Sequence, residues 1–255
     1  MCGIVGYVGT QQASPILLNG LEKLEYRGYD SAGIAIADKG HIEVAKAKGR
    51  LSVLKELLKE EKPLYGTIGI GHTRWATHGE PSQCNSHPHV SNSGKFAVVH
   101  NGIIETYAKL KDLLISKGKV FLSETDTEVI VQLLEYCYHG DLLAAVIQMM
   151  GRLEGSYALG ILCTDYPDEL VAIRKDSPLI VGTGKGENFI ASDVPAILSY
   201  TREVYRLGEK EIAVISKEEV KFYNTDKELI EKELSHIDWD VASAEKSGFE
   251  HFMMK

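Results

Sequence analysis

Short β-rich runs alternate with amphipathic helical stretches along this chain, and that alternation constrains the fold more than any other feature. Residues 2–8 are apolar and glycine-punctuated and read as a buried strand. A helix is expected over 14–25, with Ser14 as N-cap, Pro15 at the first position and an apolar face of Leu17, Leu18, Leu21 and Leu24. Residues 33–37 return as a strand and 51–60 as a helix. Strands follow over 67–72 and 96–99, the second ending in a His100-Asn101-Gly102 turn. Helices are expected over 105–116, 125–138 and 142–150, with Thr125 and Glu128 spaced as a capping box. From Ser156 the texture changes, and 157–163, 170–174, 179–181, 189–191 and 211–215 read as a strand meander. This mixture predicts a layered α/β architecture, and with no internal linker residues 1–255 are read as one domain.

Several function classes fall away on composition. The formal charge of −8 argues against a nucleic-acid partner, because such binding depends on neutralising phosphate. The sequence has no run of about 18 apolar residues, so no membrane span is expected. The N-terminus has no basic region followed by an apolar stretch, so no secretory signal is read there. Cys2, Cys84, Cys137 and Cys163 are irregularly spaced, which is neither a disulfide framework nor a zinc ribbon, and a cytoplasmic location fits best. His72, His78, His87, His89 and His100 cluster near Cys84, but their spacing matches no standard zinc pattern. No metal or other cofactor is expected. Gly182-Thr183-Gly184-Lys185-Gly186 lacks the spacing of a phosphate loop and precedes a strand, so it reads as a glycine-rich hairpin. Ser31 has no nucleophile elbow around it, which argues against a serine hydrolase.

Cys2 directly follows Met1. Cysteine is small enough for the initiator methionine to be trimmed, and the nucleophile and a base would then share one residue. A free α-amine has a pKa of about 7.7–8.0, so part of it is neutral near pH 7 and can take the thiol proton. The same amine can later protonate a leaving ammonia. Position alone favours the simpler reading, a small buried strand residue. Attack on an amide would also need preset donors for the oxyanion. Asn101-Gly102 after a buried strand offers a side-chain N–H and a backbone N–H, although the dipeptide alone is the strongest short turn signal.

Longer stretches shift the balance. Cys2-Gly3-Ile4-Val5-Gly6 resembles the opening of the N-terminal-nucleophile glutamine amidotransferases. Leu24-Glu25-Tyr26-Arg27-Gly28-Tyr29-Asp30-Ser31-Ala32-Gly33 is similar to the glucosamine-6-phosphate synthase branch of that family. So are Gly71-His72-Thr73-Arg74-Trp75-Ala76-Thr77-His78-Gly79-Glu80-Pro81, Val99-His100-Asn101-Gly102-Ile103-Ile104-Glu105, Ser123-Glu124-Thr125-Asp126-Thr127-Glu128 and Gly186-Glu187-Asn188-Phe189-Ile190-Ala191-Ser192-Asp193. The resemblance runs over essentially the whole chain.

That resemblance implies a four-layer α/β/β/α sandwich of the N-terminal-nucleophile hydrolase type, with two mostly antiparallel sheets and Cys2 at their mouth. It implies hydrolysis of L-glutamine through a Cys2 thioester, with Asn101 and Gly102 as the oxyanion hole. Arg74, Thr77, His78, Gly102 and Asp126 fall on the family's glutamine-binding positions, and Trp75 on a loop that closes over substrate. Arg27 falls on an arginine that helps hold the terminal cysteine. The residues themselves leave plainer readings open: an ion pair for Arg74, a first-turn acid for Asp126, core packing for Trp75, and an ion pair with Asp30 or Glu25 for Arg27. In the full-length enzyme the resemblance implies a homodimer and sugar-isomerase domains that pass the ammonia to fructose 6-phosphate. Those domains have no room in 255 residues, so this chain is expected to hydrolyse glutamine without making glucosamine 6-phosphate.

Overall fold

A computed structural model describes residues 2–61, 63–76 and 79–238. Thr77 and His78 lie outside the described residues, as do Met1 and the polar tail from 239 onward. Two sheets form the centre. From edge to edge, the eight-stranded sheet runs β15 (Ser235–His236), β11 (Glu203–Arg206), β9 (Ile180–Gly184), β10 (Glu187–Ala191), β1 (Gly3–Val8), β4 (Ile68–Arg74), β2 (Ser31–Asp38) and β3 (His41–Lys48). The seven-stranded sheet runs β14 (Leu229–Ile230), β13 (Val220–Tyr223), β12 (Ile212–Ile215), β8 (Leu170–Lys175), β7 (Gly155–Cys163), β6 (Phe96–Ile104) and β5 (His89–Val90). Paired strands within each sheet are antiparallel.

Strand alternation explains the layering. In β1, Val5 and Tyr7 enter the core beneath α1 (Ala13–Glu22) and α2 (Leu51–Glu60), while Ile4 and Val8 enter the core between the sheets. In β6, Phe96 and Val98 face α3 (Tyr107–Ser116), α4 (Asp126–Cys137) and α5 (Leu142–Met150), while Ala97 and Val99 meet the other sheet. Three apolar cores thus separate four layers, helix–sheet–sheet–helix, as the resemblance implies. Strands buried on both faces lose the polar-out alternation, which is why β1 reads as a continuous apolar run.

Several expectations need correction. The first helix starts at Ala13 after Gln12, so Ser14 is not its cap and Pro15 sits third, still in the turn where a missing N–H costs nothing. It ends at Glu22, and residues Glu25–Arg27 form a separate 3-10 turn, because Leu24 drops into the core while Arg27 swings out to pair with Asp193. His100-Asn101-Gly102 is not a turn: β6 continues through it to Ile104, paired with β7. The C-terminal strands are not one meander, since β9, β10, β11 and β15 join the first sheet and β7, β8, β12, β13 and β14 the second. The capping box is half made. Thr125 accepts from the Glu128 N–H at 3.3 Å, whereas the Glu128 carboxylate takes the Leu122 and Ser123 N–H groups at 2.9 and 2.6 Å. The 182–186 stretch is the expected hairpin, with Lys185-Gly186 joining β9 to β10 and Gly186 at φ 72°.

Candidate active site

The cleft opens where β1 begins, β4 ends and β6 crosses from the facing sheet. Cys2 precedes β1 and is half-buried. The pairing of Gly3 with Thr73 puts Arg74 and Trp75 beside it. The Trp75 N–H donates to the Cys2 Sγ at 3.2 Å, and the Trp75 carbonyl lies 3.6 Å from the same sulfur. Gly28 lies so close to this peptide that a Cβ there would stand 2.6 Å from the Arg74 carbonyl carbon and 2.7 Å from the Trp75 nitrogen. Burial pushes the Cys2 thiol up from its ordinary value, and the Trp75 N–H offsets part of that. The resting group is therefore a thiol, which must lose its proton to react.

Alternation in β6 sends Asn101 toward the first sheet and His100 toward α4. The Asn101 Nδ2 donates to the Cys2 carbonyl at 2.9 Å. The His72 Nε2 lies 3.0 Å from both the Asn101 Oδ1 and the His100 carbonyl. The His100 Nδ1 meets the Thr127 Oγ1 at 2.9 Å. Gly102 has φ 133°, and a Cβ there would stand 2.0 Å from the Ser156 carbonyl oxygen, so only glycine fits this point of the strand. At the start of α4 the Asp126 Oδ2 accepts the Ile104 N–H at 2.9 Å. A carboxylate at a helix N-terminus is also favoured by the helix dipole.

Cys2, Arg74, Trp75, His87, His100, Gly102, Thr125, Asp126 and Thr127 line the cleft, which encloses about 290 Å³ counted out to its open mouth. One cation and one carboxylate therefore face a space that begins at a thiol. Arg74 also donates to the Gly79 and Glu80 carbonyls at 3.0 and 3.4 Å, and burial draws its guanidinium down, against the pull of Cys2, Asp126 and Asp30. Trp75 is 45% exposed, edge-on to Tyr29 at 5.6 Å, and is not a core residue. Arg27 lies away from the cleft lining. Its partner is Asp193 at 2.5 Å, not Asp30 or Glu25; Glu25 instead accepts the Leu51 N–H at 3.2 Å, at the start of α2.

Four imidazoles are buried beside the cleft. His72 stacks on His87 at 4.1 Å, and His89 meets His87 edge-on at 5.1 Å. The His87 Nδ1 accepts the His100 N–H at 3.3 Å, and the His89 Nε2 bonds Thr125 at 2.9 Å. Burial holds all four below the ordinary value, His72 at about 3. Among the described residues no group of three His, Cys, Asp or Glu side chains is arranged to hold a metal. Sequence reasoning missed His72 and the Trp75 N–H. Strand parity could have found the first, because His72 lies in register with the inward-facing Ile68 and Ile70.

The sequence pattern of the glutamine amidotransferase domain matches residues 72–199, half of the chain. The chain belongs to that family. The pairing of β4 with β1 and the crossing by β6 bring Trp75 and Asn101 of this amidotransferase stretch against Cys2, which lies outside the matched residues. Along its whole length the amidotransferase chain is 63% identical to the glutamine--fructose-6-phosphate aminotransferase [isomerizing] of Caldanaerobacter subterraneus subsp. tengcongensis, covering 42% of that protein. It is 60% identical, again over 42%, to the protein of the same name from Clostridium acetobutylicum. It thus spans about two fifths of the length of these relatives. Among solved structures, the glutamine phosphoribosylpyrophosphate amidotransferase from B. subtilis superposes with a TM-score of 0.76 at 26% identity, over 89% of this chain and 50% of that one.

Proposed function

We propose that residues 1–255 form one glutaminase unit, which hydrolyses L-glutamine to L-glutamate and ammonia with Cys2 as nucleophile. The observation that carries this is the convergence on the Cys2 sulfur and carbonyl of a backbone donor from one sheet and the Asn101 amide from the other. Once Met1 is removed, the Cys2 α-amine takes the thiol proton and the sulfur attacks the side-chain amide carbon of glutamine. The Asn101 Nδ2–H and the Gly102 N–H receive the oxyanion. The C–N bond breaks as the ammonium returns its proton, ammonia leaves, and water hydrolyses the thioester. Arg74 takes the glutamine α-carboxylate and Asp126 its α-ammonium, with Thr77 and His78 adding hydrogen bonds and Trp75 covering the mouth. Arg27, through Asp193, holds the 3-10 turn ahead of Gly28, which supports the terminal cysteine at one remove.

In the full-length protein, further domains use the ammonia to convert fructose 6-phosphate to glucosamine 6-phosphate, in a homodimer in the cytoplasm. Identity of 63% over the whole chain, against 26% to the phosphoribosylpyrophosphate amidotransferase, supports the amino-sugar branch over that of the latter enzyme. The test is glutamate release by the purified chain beside Cys2→Ala, with intact mass to establish whether Met1 is gone. Activity in the processed chain and none in the variant supports the reading. A processed chain that binds glutamine without releasing glutamate would replace it with a binding module.

A further inference from the structure

The buried contacts of His72 carry a deduction that does not depend on how the Asn101 amide is drawn. The His72 Nε2 is 3.0 Å from the His100 backbone carbonyl. A carbonyl can only accept, so Nε2 carries the proton. The same Nε2 is 3.0 Å from the Asn101 side chain, so the Asn101 atom facing it must be the acceptor Oδ1. The amide NH2 must then face the Cys2 carbonyl, where it lies at 2.9 Å. A backbone carbonyl that cannot change its polarity thus sets the histidine tautomer, and the histidine sets the direction of the amide.

We propose that His72 is a positioning residue for the glutaminase reaction: its Nε2–H holds the Asn101 amide with its donors, not its oxygen, toward the nucleophile. The inference rests on the reading of Asn101 as an oxyanion donor. The alternative orientation would bring an oxygen to the developing negative charge, which would repel it. His72 suits the task because it is fully buried in β4 and stacked on His87 at 4.1 Å. Among the described residues its buried Nδ1 has no hydrogen-bond partner that would compete for the tautomer. Burial holds the imidazole at about 3, so it stays neutral and the orientation does not change across the physiological range.

Three measurements test this. Imidazole 15N NMR of the processed chain should show His72 as the Nε2–H tautomer, untitrated between about pH 5 and 8. An Nδ1–H tautomer, or titration in that window, overturns the proposal, and this result stands whether or not the chain proves to be a glutaminase. The kinetic test compares His72→Leu, His72→Gln, Asn101→Ala and the His72→Leu/Asn101→Ala pair. We expect His72→Leu to lower kcat about 10²-fold with KM within about twofold, the size of one lost oxyanion donor. His72→Gln, which keeps an N–H near the same place, should recover most of that loss. The double variant should be no worse than Asn101→Ala alone, since the effect passes through that amide. Additive losses, or full kcat in His72→Leu, overturn it. Should His72→Leu not fold, His72→Gln carries the test, and a loss there matching Asn101→Ala is the overturning result. Cys2 alkylation by iodoacetamide should keep its pH profile in every folded variant, whereas a general loosening of the site would move it.

Discussion

The wall of the cleft that comes from the eight-stranded sheet is made of strand ends and a connecting loop, whereas the wall from the seven-stranded sheet is made of strand interior and the first turn of a helix. Cys2, Arg74 and Trp75 stand on the first: the Trp75 N–H meets the sulfur, Arg74 donates to the Gly79 and Glu80 carbonyls, and the Trp75 ring meets Tyr29. Asn101, Gly102 and Asp126 stand on the second, where side-chain bonds link Asn101 and His100 through His72, His100 to Thr127, and Asp126 to the Ile104 N–H. The difference separates two tasks. Charge that develops during reaction needs donors that do not move, whereas a substrate that enters and leaves needs a wall that can adjust.

Substitutions can break that division, and the largest effect is expected at the nucleophile. Cys2→Ala should abolish glutamate release, by more than about 10⁴-fold in single-turnover assays, since no other group replaces a covalent nucleophile. Asn101→Ala, on the rigid wall, should lower kcat about 10²–10³-fold with little change in KM, read from initial rates. A comparable rise in KM with kcat kept would mean that Asn101 binds substrate and does not stabilise the oxyanion.

Acid should find the buried imidazoles between the walls first. His72, His87 and His89 are held neutral in the fold by burial, below the ordinary value of 6.5. The unfolded chain therefore binds more protons than the folded one below about pH 6.5, so stability is present above that value and is lost as pH falls toward 3. Between pH 7 and 5.5 His72 alone should cost about 1 kcal/mol, with His87 and His89 acting in the same direction, visible as a falling urea midpoint. A flat profile over this range would mean that the imidazoles are reached by water.

On the binding side, Asp126→Asn keeps an acceptor for the Ile104 N–H and removes only the charge. KM for glutamine should rise about 10- to 100-fold with kcat nearly kept, the worth of a hydrogen bond to a charged group. The smallest effect is expected for Trp75→Ala on the adjustable wall. Losing an exposed edge contact with Tyr29 should change kcat/KM by less than about tenfold.

The elements themselves were largely legible. The helices over Leu51–Glu60 and Leu142–Met150 fall where periodicity puts them, because each has one apolar face against one sheet. The strand β3 was not read, although Ile42, Val44 and alternating charge run through it, because lysine and glutamate on an edge strand mimic a polar loop. Asn101-Gly102 was ambiguous for a different reason. A glycine at positive φ serves a turn or a strand under close approach equally well, and the Ser156 carbonyl that decides between them lies 54 residues away. The plainer reading of Arg27, an ion pair with Asp30 or Glu25, looked only along the chain, and its carboxylate partner is Asp193.

Residue chemistry by itself offered this chain a thiol that could share a residue with an α-amine, but it left plainer readings of Cys2, Asn101-Gly102, Arg74 and Asp126 open, and the resemblance of the longer stretches decided between them. Periodicity determined that sheets and helices would be layered. Only the tertiary structure decided which strands shared a sheet, and so that Cys2, Arg74 and Asn101 would meet. It also decided the state of each polar group: a thiol raised by burial, imidazoles kept neutral, and an amide pointed by a histidine that a backbone carbonyl orients. The reason is physical. Period and composition act over neighbouring residues, whereas desolvation and hydrogen-bond polarity depend on atoms brought together from β1, β4, β6 and α4, and no local pattern carries that information.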